Sequence, residues 1–417
     1  MRKAIAAVLC VLFLAGVCLL SAPRVSALEA SASGSVYYLS EAGSDDNSGF
    51  EAAPWRTFER ANKSVKAGDT VRVLAGHYEG AKLTAKGTAG KPITYISVES
   101  RKAIIDLGGF PPSSSEGSRI SIWGDYTIFD GFEVSTGQAA EGRAANAGVA
   151  VYRCTGVTVR NCHSHTNDRW GIFTAWAADL TLENNECHNN RREHGIYVSN
   201  GGDNPHVVGN TCYNNGGCGI QIKTDGGTIH GAVLEKNLLY DNNKVGGQSI
   251  NFDGVAQAIV RNNVVIINRR SGIALYKIDG GEVPTANVIV NNTFVNVGGS
   301  SGILLNDDSH GNIIFNNVLW SAKPTEMMEG NIAGNTIAAN AFGPGATFGE
   351  KAVTLSTDLA AYFAAPDAKN FRLKADSALI DMGLGECGGR KAPGDDFEGV
   401  SRPQGGAPDI GAFEYAK

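Results

Sequence analysis

The chain has 417 residues, of which 53 are glycine and 13 proline, with 42% hydrophobic and 19% charged residues and a formal net charge of −6. That apolar content supports a large core and excludes a disordered chain. The acidic balance excludes a general nucleic-acid binder, so any anionic partner must meet a local cationic patch.

Arg2 and Lys3 precede an apolar run from Ala4 to Leu20 and a small-residue site at Val25-Ser26-Ala27. This pattern predicts a signal peptide over residues 1–27, cleaved near Ala27, and a protein that is secreted, periplasmic or on the cell surface without stable membrane insertion. Cys18 lacks a small residue directly before it, which argues against a lipid anchor. Cleavage takes away Arg2, Lys3 and Arg24 and moves the charge from −6 to −9. It leaves Cys154, Cys162, Cys187, Cys212, Cys218 and Cys387, whose spacing matches no zinc site. Cys187 and Cys212 sit one repeat apart, where a disulfide and a column of buried thiols are both open.

Residues 28–110 read as an N-terminal cap with the first coils. "VYYLSEAGSDDNSG" gives a strand and a polar turn, and "PWRTFERANKSVKAGDTVRVLAGHY" gives a short amphipathic helix feeding a strand. Pro54 and Gly68 bound the helix, which buries Trp55, Phe58, Ala61 and Val65 and covers the open end of the first coil. Asp45, Asp46 and Asn47 suit a turn, with calcium, the one cofactor the sequence suggests, as the alternative, since clustered oxygens attract hard cations.

Residues 111–335 are repetitive. An apolar phrase opening on glycine recurs at Gly148, Gly171, Gly195, Gly219, Gly272 and Gly302, with Ser249-Ile250 filling the gap, while "GQAAEGRAANA" from Gly137 to Ala147 reads as an outward loop. Asn185, Asn210, Asn237, Asn263, Asn292 and Asn317 form one column at intervals of 25, 27, 26, 29 and 25 residues. A period in the twenties, built of short β-branched runs between Gly and Asn, predicts an all-β solenoid whose coils share a continuous core. Ile196 and Val198, Ile220 and Ile222, Ile250 and Phe252, and Ile273 and Leu275 should point inward. The asparagines should turn the chain, accept left-handed backbone and stack as an amide ladder. After Trp320 the register fades, and residues 336–417 read as a C-terminal coil and cap in which Asp381, Asp395, Asp396 and Asp409 cap and turn.

The phrases "LENNECHNN", "VRNNVVIIN" and "VIVNNTFVNV" resemble the right-handed parallel β-helix superfamily of pectate lyases, alginate lyases, chondroitinase B, C5-epimerases and several glycoside hydrolases. The resemblance runs from Val36 to Tyr415. It implies the fold strongly and the reaction weakly, because that scaffold hosts several chemistries.

The register sorts outward side chains into columns: Phe173, Tyr197, Gln221, Asn251, Ala274, Leu304, and Ala175, Ser199, Lys223, Asp253, Tyr276, Asn306. Arg169, Arg191, Arg192, Glu193 and His194 lie at the upstream corner, with Arg269 and Arg270 three coils on. Together they predict a groove with a basic edge, suited to a long acidic polysaccharide bound by a monomer. Within the resemblance this suggests a lyase or C5-epimerase acting on a uronate. His194 is the candidate base and Tyr197 the acid, with Arg192, aided by Gln221 and Asn251 or by calcium, neutralising the carboxylate. Lys223 is the alternative base, although its stacked neighbour Asp253 should raise its pKa and pair with it. Trp170, Arg270, Tyr276 and Lys277 complete the substrate contacts. Hydrolysis by Asp225, Asp253 and Asp279, each in an Asp-Gly pair that turns also use, is the rival chemistry. Non-catalytic glycan binding on Trp170, Phe173, Trp176 and Tyr276 is the third reading.

Overall fold

The computed structural model describes residues 34–107, 117–135, 146–267, 269–321, 327–345 and 347–416. The expected signal peptide lies outside these residues, as does the Gly137–Ala147 loop up to residue 145.

Short strands with alternating apolar residues stack coil on coil into three parallel sheets of twelve, ten and twelve strands. The first sheet begins at Val36–Leu39 and ends at Thr336–Ala338; the second runs from Ala81–Leu83 to Met328–Gly330; the third from Gly76–Glu79 to Val353–Thr354. Alternation sends every second side chain inside. Ile196, Val198, Ile220, Ile222, Ile250, Phe252, Ile273 and Leu275 are all fully buried in one continuous core, as expected.

The corners are asparagine. Asn185, Asn210, Asn237, Asn263, Asn292, Asn317 and Asn340 each sit between a first-sheet and a third-sheet strand, and each amide donates to the next oxygen along the column at 2.9–3.0 Å. Two further ladders occupy the other corners: Asn167, Asn190, Asn215 and Asn242 at 2.8–2.9 Å, and Asn287, Asn312 and Asn335 at 2.8–2.9 Å. A buried amide left unpaired costs about 1–3 kcal/mol, so each ladder reads the next coil's register. The left-handed residue of the corner is not the ladder asparagine but the one before it: φ is 53° at Asn184, 54° at Asn262 and 52° at Asn291.

The ladders also explain the glycine that opens each phrase. A Cβ on Gly195 would lie 2.8 Å from the Gly219 carbonyl oxygen and 3.0 Å from the Asn215 amide of the next coil. A side chain there would push the coils apart.

At the N-terminal end the helix α1 (Phe58–Ser64) starts from Thr57, whose hydroxyl accepts the Arg60 N–H. Trp55, Phe58 and Ala61 are buried, whereas Val65 is half-buried just past the helix. Asp45 accepts the backbone N–H groups of Arg56 and Thr57 at 3.0 Å and the Thr57 hydroxyl at 2.7 Å, so it ties the turn to the helix start.

The other end departs from expectation in two ways. The solenoid continues for one more coil beyond Trp320, where Met327-Met328 replaces the glycine phrase and Asn340 extends the ladder. The segment that follows then runs back along the outside of the third sheet. Leu355, Phe363, Phe371, Leu379, Ile410 and Phe413 pack on Val264, Val295, Val318 and Trp320. Arg402 pins this segment from within: its side chain is fully buried, donates to Glu414 at 3.0 Å, and donates to the carbonyls of Asp409 and Gly411 at 3.0 and 2.9 Å. Asp396 and Asp409 accept backbone N–H groups, and Asp395 pairs with Lys236 at 2.5 Å.

Cys187 and Cys212 are register partners, both fully buried and both free thiols. Burial, and then the neighbouring Cys212, push the Cys187 thiol well above its usual range.

Candidate functional site

The outward columns fall where the repeat puts them. Phe173 pairs in register with Tyr197, Tyr197 with Gln221, Gln221 with Asn251 and Asn251 with Ala274; beside them Ser199 pairs with Lys223, Lys223 with Asp253 and Asp253 with Tyr276. All belong to the second sheet, and they divide its outer side in two. The upstream coils carry aromatic rings: Trp123 stacks on Tyr152 at 4.9 Å, Tyr152 lies 5.7 Å from Phe173, Trp170 stacks on Phe173 at 4.4 Å, and Phe173 meets Tyr197 edge-on at 5.5 Å. Lys82 caps this row, 4.0 Å above the Trp123 ring. The middle coils carry amides, Gln221 and Asn251, and then the Tyr276 phenol, to which the Asn251 amide donates. Burial raises the Tyr276 pKa to about 12 and also raises that of Tyr197, so both phenols keep their protons at neutral pH.

The corner arginines are balanced by carboxylates. Arg191 and Arg192 both bind Asp168, and Arg169 lies 3.5 Å from Glu193, which also accepts the Trp170 indole N–H at 2.7 Å. The expected basic edge is thus neutralised there, because Asp168 and Glu193 sit one coil from the cations they meet. Arg192 has a committed partner and is no free carboxylate clamp. Arg270 and Lys277 are exposed, with the Lys277 backbone N–H donating to Asp307 at 2.9 Å.

His194 does not suit a base. Its Nδ1 accepts the backbone N–H of Cys218 at 2.9 Å, which leaves the ring proton on Nε2 and no free lone pair. Burial, and then the Lys223 charge, lower its pKa to about 3. It is a corner histidine that fastens one coil to the next.

Lys223 and Asp253 are register neighbours, yet they do not pair as expected. Asp253 is buried and accepts the backbone N–H groups of Ile278 at 2.9 Å and Gly280 at 3.0 Å, fixing the loop after Tyr276. Lys223 turns instead to Asp279 at 2.5 Å, with Asp225 at 3.9 Å. Burial lowers the Lys223 pKa, but the Asp279 hydrogen bond and nearby charges outweigh it, so the net shift is upward. The ammonium is therefore charged at neutral pH and flanked by two carboxylates that reach solvent.

A further group of residues lies outside the expected groove. His163, His165, Glu186 and His188 lie on the outside of the third sheet, with Glu133 one coil before. Their signal in the sequence is "HSH" and "ECH" on adjacent coils, where Ser164 and Cys187 face inward and the residues on either side face out.

Two family models match the chain. One, described as Pel9A-like, right-handed β-helix region, matches residues 37–203; the other, described as periplasmic copper-binding protein (NosD), matches residues 136–345. Among solved structures, pectate lyase Pel9A superposes with a TM-score of 0.69 at 19% identity over 92% of this chain and 96% of that one. XylC in complex with xylose follows with a TM-score of 0.56 at 12% identity over 92% and 98%. At these identities the likeness is one of fold. The uncharacterized protein YwoF of Bacillus subtilis (strain 168) is 39% identical over 74 residues, 18% of this chain and 16% of that protein's length. The match to residues 136–345 spans half of the chain, which therefore belongs to the family described as periplasmic copper-binding protein (NosD), with the right-handed parallel β-helix as its fold.

Proposed function

We propose that this protein is a carbohydrate-active β-helix protein working outside the cytoplasm, and that it binds an extended uronate-containing polysaccharide along the outer side of the second sheet. The observation that carries this reading is the run from Trp123 through Tyr152, Phe173 and Tyr197 to Gln221 and Asn251, in which Trp123, Phe173 and Tyr197 are half-buried and present ring surface while Tyr152, Gln221 and Asn251 are buried behind them. Rings stack on sugar faces and amides bond hydroxyls, and coil spacing of about 4.8 Å sets a linear ladder against a linear polymer.

The reaction proposed is elimination or C5 epimerisation at the downstream end of that run. Elimination needs the uronate carboxylate neutralised, the C5 proton taken and the leaving oxygen protonated. Lys223 supplies a permanent positive charge for the first service. Asp225 or Asp279, drawn off the ammonium by the incoming carboxylate, takes the proton, and Tyr197 holds a proton to give. The same two carboxylates around one ammonium favour hydrolysis as the second reading. The copper of the family description calls for imidazole ligands, and the clustered imidazoles lie on the third sheet, away from this face.

The test is to incubate the purified chain with uronate-containing and neutral polysaccharides, with calcium or with chelator. Ultraviolet absorbance of the new C4–C5 double bond is followed beside reducing ends. Both signals rising, and both lost in Lys223→Ala and Tyr197→Phe, are expected. Reducing ends without absorbance would move the assignment to hydrolysis. Binding with neither signal, nor proton exchange at C5, would leave glycan recognition alone, and no binding to any polysaccharide would sink the proposal.

A further inference from the structure

Three imidazoles crowd the outside of the third sheet. His163 and His165 flank the inward Ser164, and Glu186 and His188 flank the inward Cys187, so strand alternation turns all four outward. Register places His163 between Glu133 and Glu186, and His165 beside His188. The Nε2 atoms of His163 and His188 are 2.6 Å apart, and His165 Nε2 is 3.4 Å from Glu133 Oε1. Donor atoms of Glu133, His163 and His165 fall within 4.8 Å of one another, as do those of His163, Glu186 and His188, so His163 belongs to both sets.

Stacking and hydrogen bonding account for much of the cluster: the Nε2 atoms of His163 and His188 are within hydrogen-bond distance of each other, and His165 Nδ1 meets the Thr166 hydroxyl at 2.9 Å. His165, His188, Tyr213 and Tyr240 form a parallel row at 5.1, 4.5 and 4.8 Å, which any aromatic side chains would satisfy. His188 Nδ1, however, is buried with no hydrogen-bond partner among the described residues. Glu186 is already engaged by Arg101 at 2.6 Å and by the Tyr213 phenol at 3.0 Å, so the carboxylate left to the cluster is Glu133.

We infer that the third sheet carries a site for a divalent transition ion of the copper–zinc kind, centred on His163, with His165 and Glu133 on one side and His188 on the other. Imidazole nitrogen with one carboxylate selects such ions over calcium, which wants oxygen alone. Ligation at about 2.0–2.1 Å would part the two close nitrogens to about 3.3 Å, a small side-chain rotation on an open face. Glu186, held by Arg101 and Tyr213, is then a positioning residue beside His163. The site joins three consecutive coils and is independent of the second-sheet face.

The experiment is a calorimetric titration of the tag-free, chelator-treated chain with Cu²⁺, Zn²⁺ and Ca²⁺, with melting temperature read alongside. One Cu²⁺ or Zn²⁺ per chain, Cu²⁺ the tighter, a raised melting temperature and no saturable Ca²⁺ binding at this site are expected. His163→Ala should weaken binding at least about 10-fold, the His163→Ala/His188→Ala double variant should abolish it, and His230→Ala should leave it unchanged. Circular dichroism of the metal-free double variant checks that the solenoid is intact. The wild-type Cu²⁺ complex should show nitrogen coupling in its paramagnetic resonance spectrum whatever the variants do. An oxygen-only spectrum, binding that survives the double variant, or no saturable Cu²⁺ or Zn²⁺ binding would overturn the site.

Discussion

The third sheet has one backbone and two outer faces. Over its earlier coils the outward residues are Glu133, His163, His165, Glu186, His188, Tyr213 and Tyr240, and they meet solvent, one another and the cationic side chains of Arg101, on Glu186, and Lys369, over Tyr240. Over its later coils they are Val264, Val295, Val318 and Trp320, and they lie beneath residues 355–413. The strands on both sides keep the same parallel pairing, and an asparagine ladder runs from one half into the other. The repeat therefore fixes the inside of the coils and leaves the outside open. What a stretch of outer face becomes, a cover's footing or a cluster of ligands, depends on residues that the inward pattern does not constrain.

The largest expected effect tests the cover. Arg402→Ala strips Glu414 and the carbonyls of Asp395, Asp409 and Gly411 of a buried partner and should destabilise the protein by about 3–5 kcal/mol, seen in urea unfolding. Limited proteolysis should then cut first within residues 355–413 while the earlier coils resist. Equal cutting along the chain would mean that the two halves unfold as one.

An acid titration sets a polar outer face of the first sheet against both. Burial would raise the Glu235 pKa, but hydrogen bonds from His206 and Arg261 and their charges bring it down to about 2. A depressed carboxylate pKa contributes stability above the unfolded value and loses it as pH falls through the folded one. A contribution on the order of 3 kcal/mol should thus fade between pH 4.5 and about 2. The gap between wild type and Glu235→Gln in denaturant midpoint should close over that range, and a gap independent of pH would remove the ion pair from the account.

The smallest effect is expected on the uncovered half of the third sheet. Tyr213→Ala, in metal-free protein, should change unfolding free energy by no more than about 1 kcal/mol, whereas Trp320→Ala, on the same face but under the cover, should cost about 3 kcal/mol or more. Similar losses at the two positions would erase the distinction between the halves.

Much of the solenoid was legible because its signals are short-range and periodic. Inward residues such as Ile220 and Phe252 follow the two-residue period of a strand, and the columns through Tyr197 and Lys223 follow the coil period. Partners were less legible because loops choose them. Lys223 and Asp253 are in register, but the loop after Tyr276 takes Asp253 for its own N–H groups and delivers Asp279 to the lysine. The extra ladders were missed for a related reason. They lie five residues after the first column at Asn190, Asn215 and Asn242 and five before it at Asn287, Asn312 and Asn335, so each borders a three- or four-residue strand whose ends read as one turn. The histidines carry no such repeat: His163, His165 and His188 occupy outward positions on only two adjacent coils, too few for a column to mark them.

The returning C-terminal segment also sets an order of events. Val264, Val295, Val318 and Trp320 leave the ribosome well before Leu355, Phe371 and Phe413, which cover them. A chain that builds coils from its N-terminal end holds a growing apolar strip with nothing upon it until synthesis is nearly done. The earlier half, with its histidines and tyrosines, can wait in water at that stage; the later half is where a holding chaperone has its purchase.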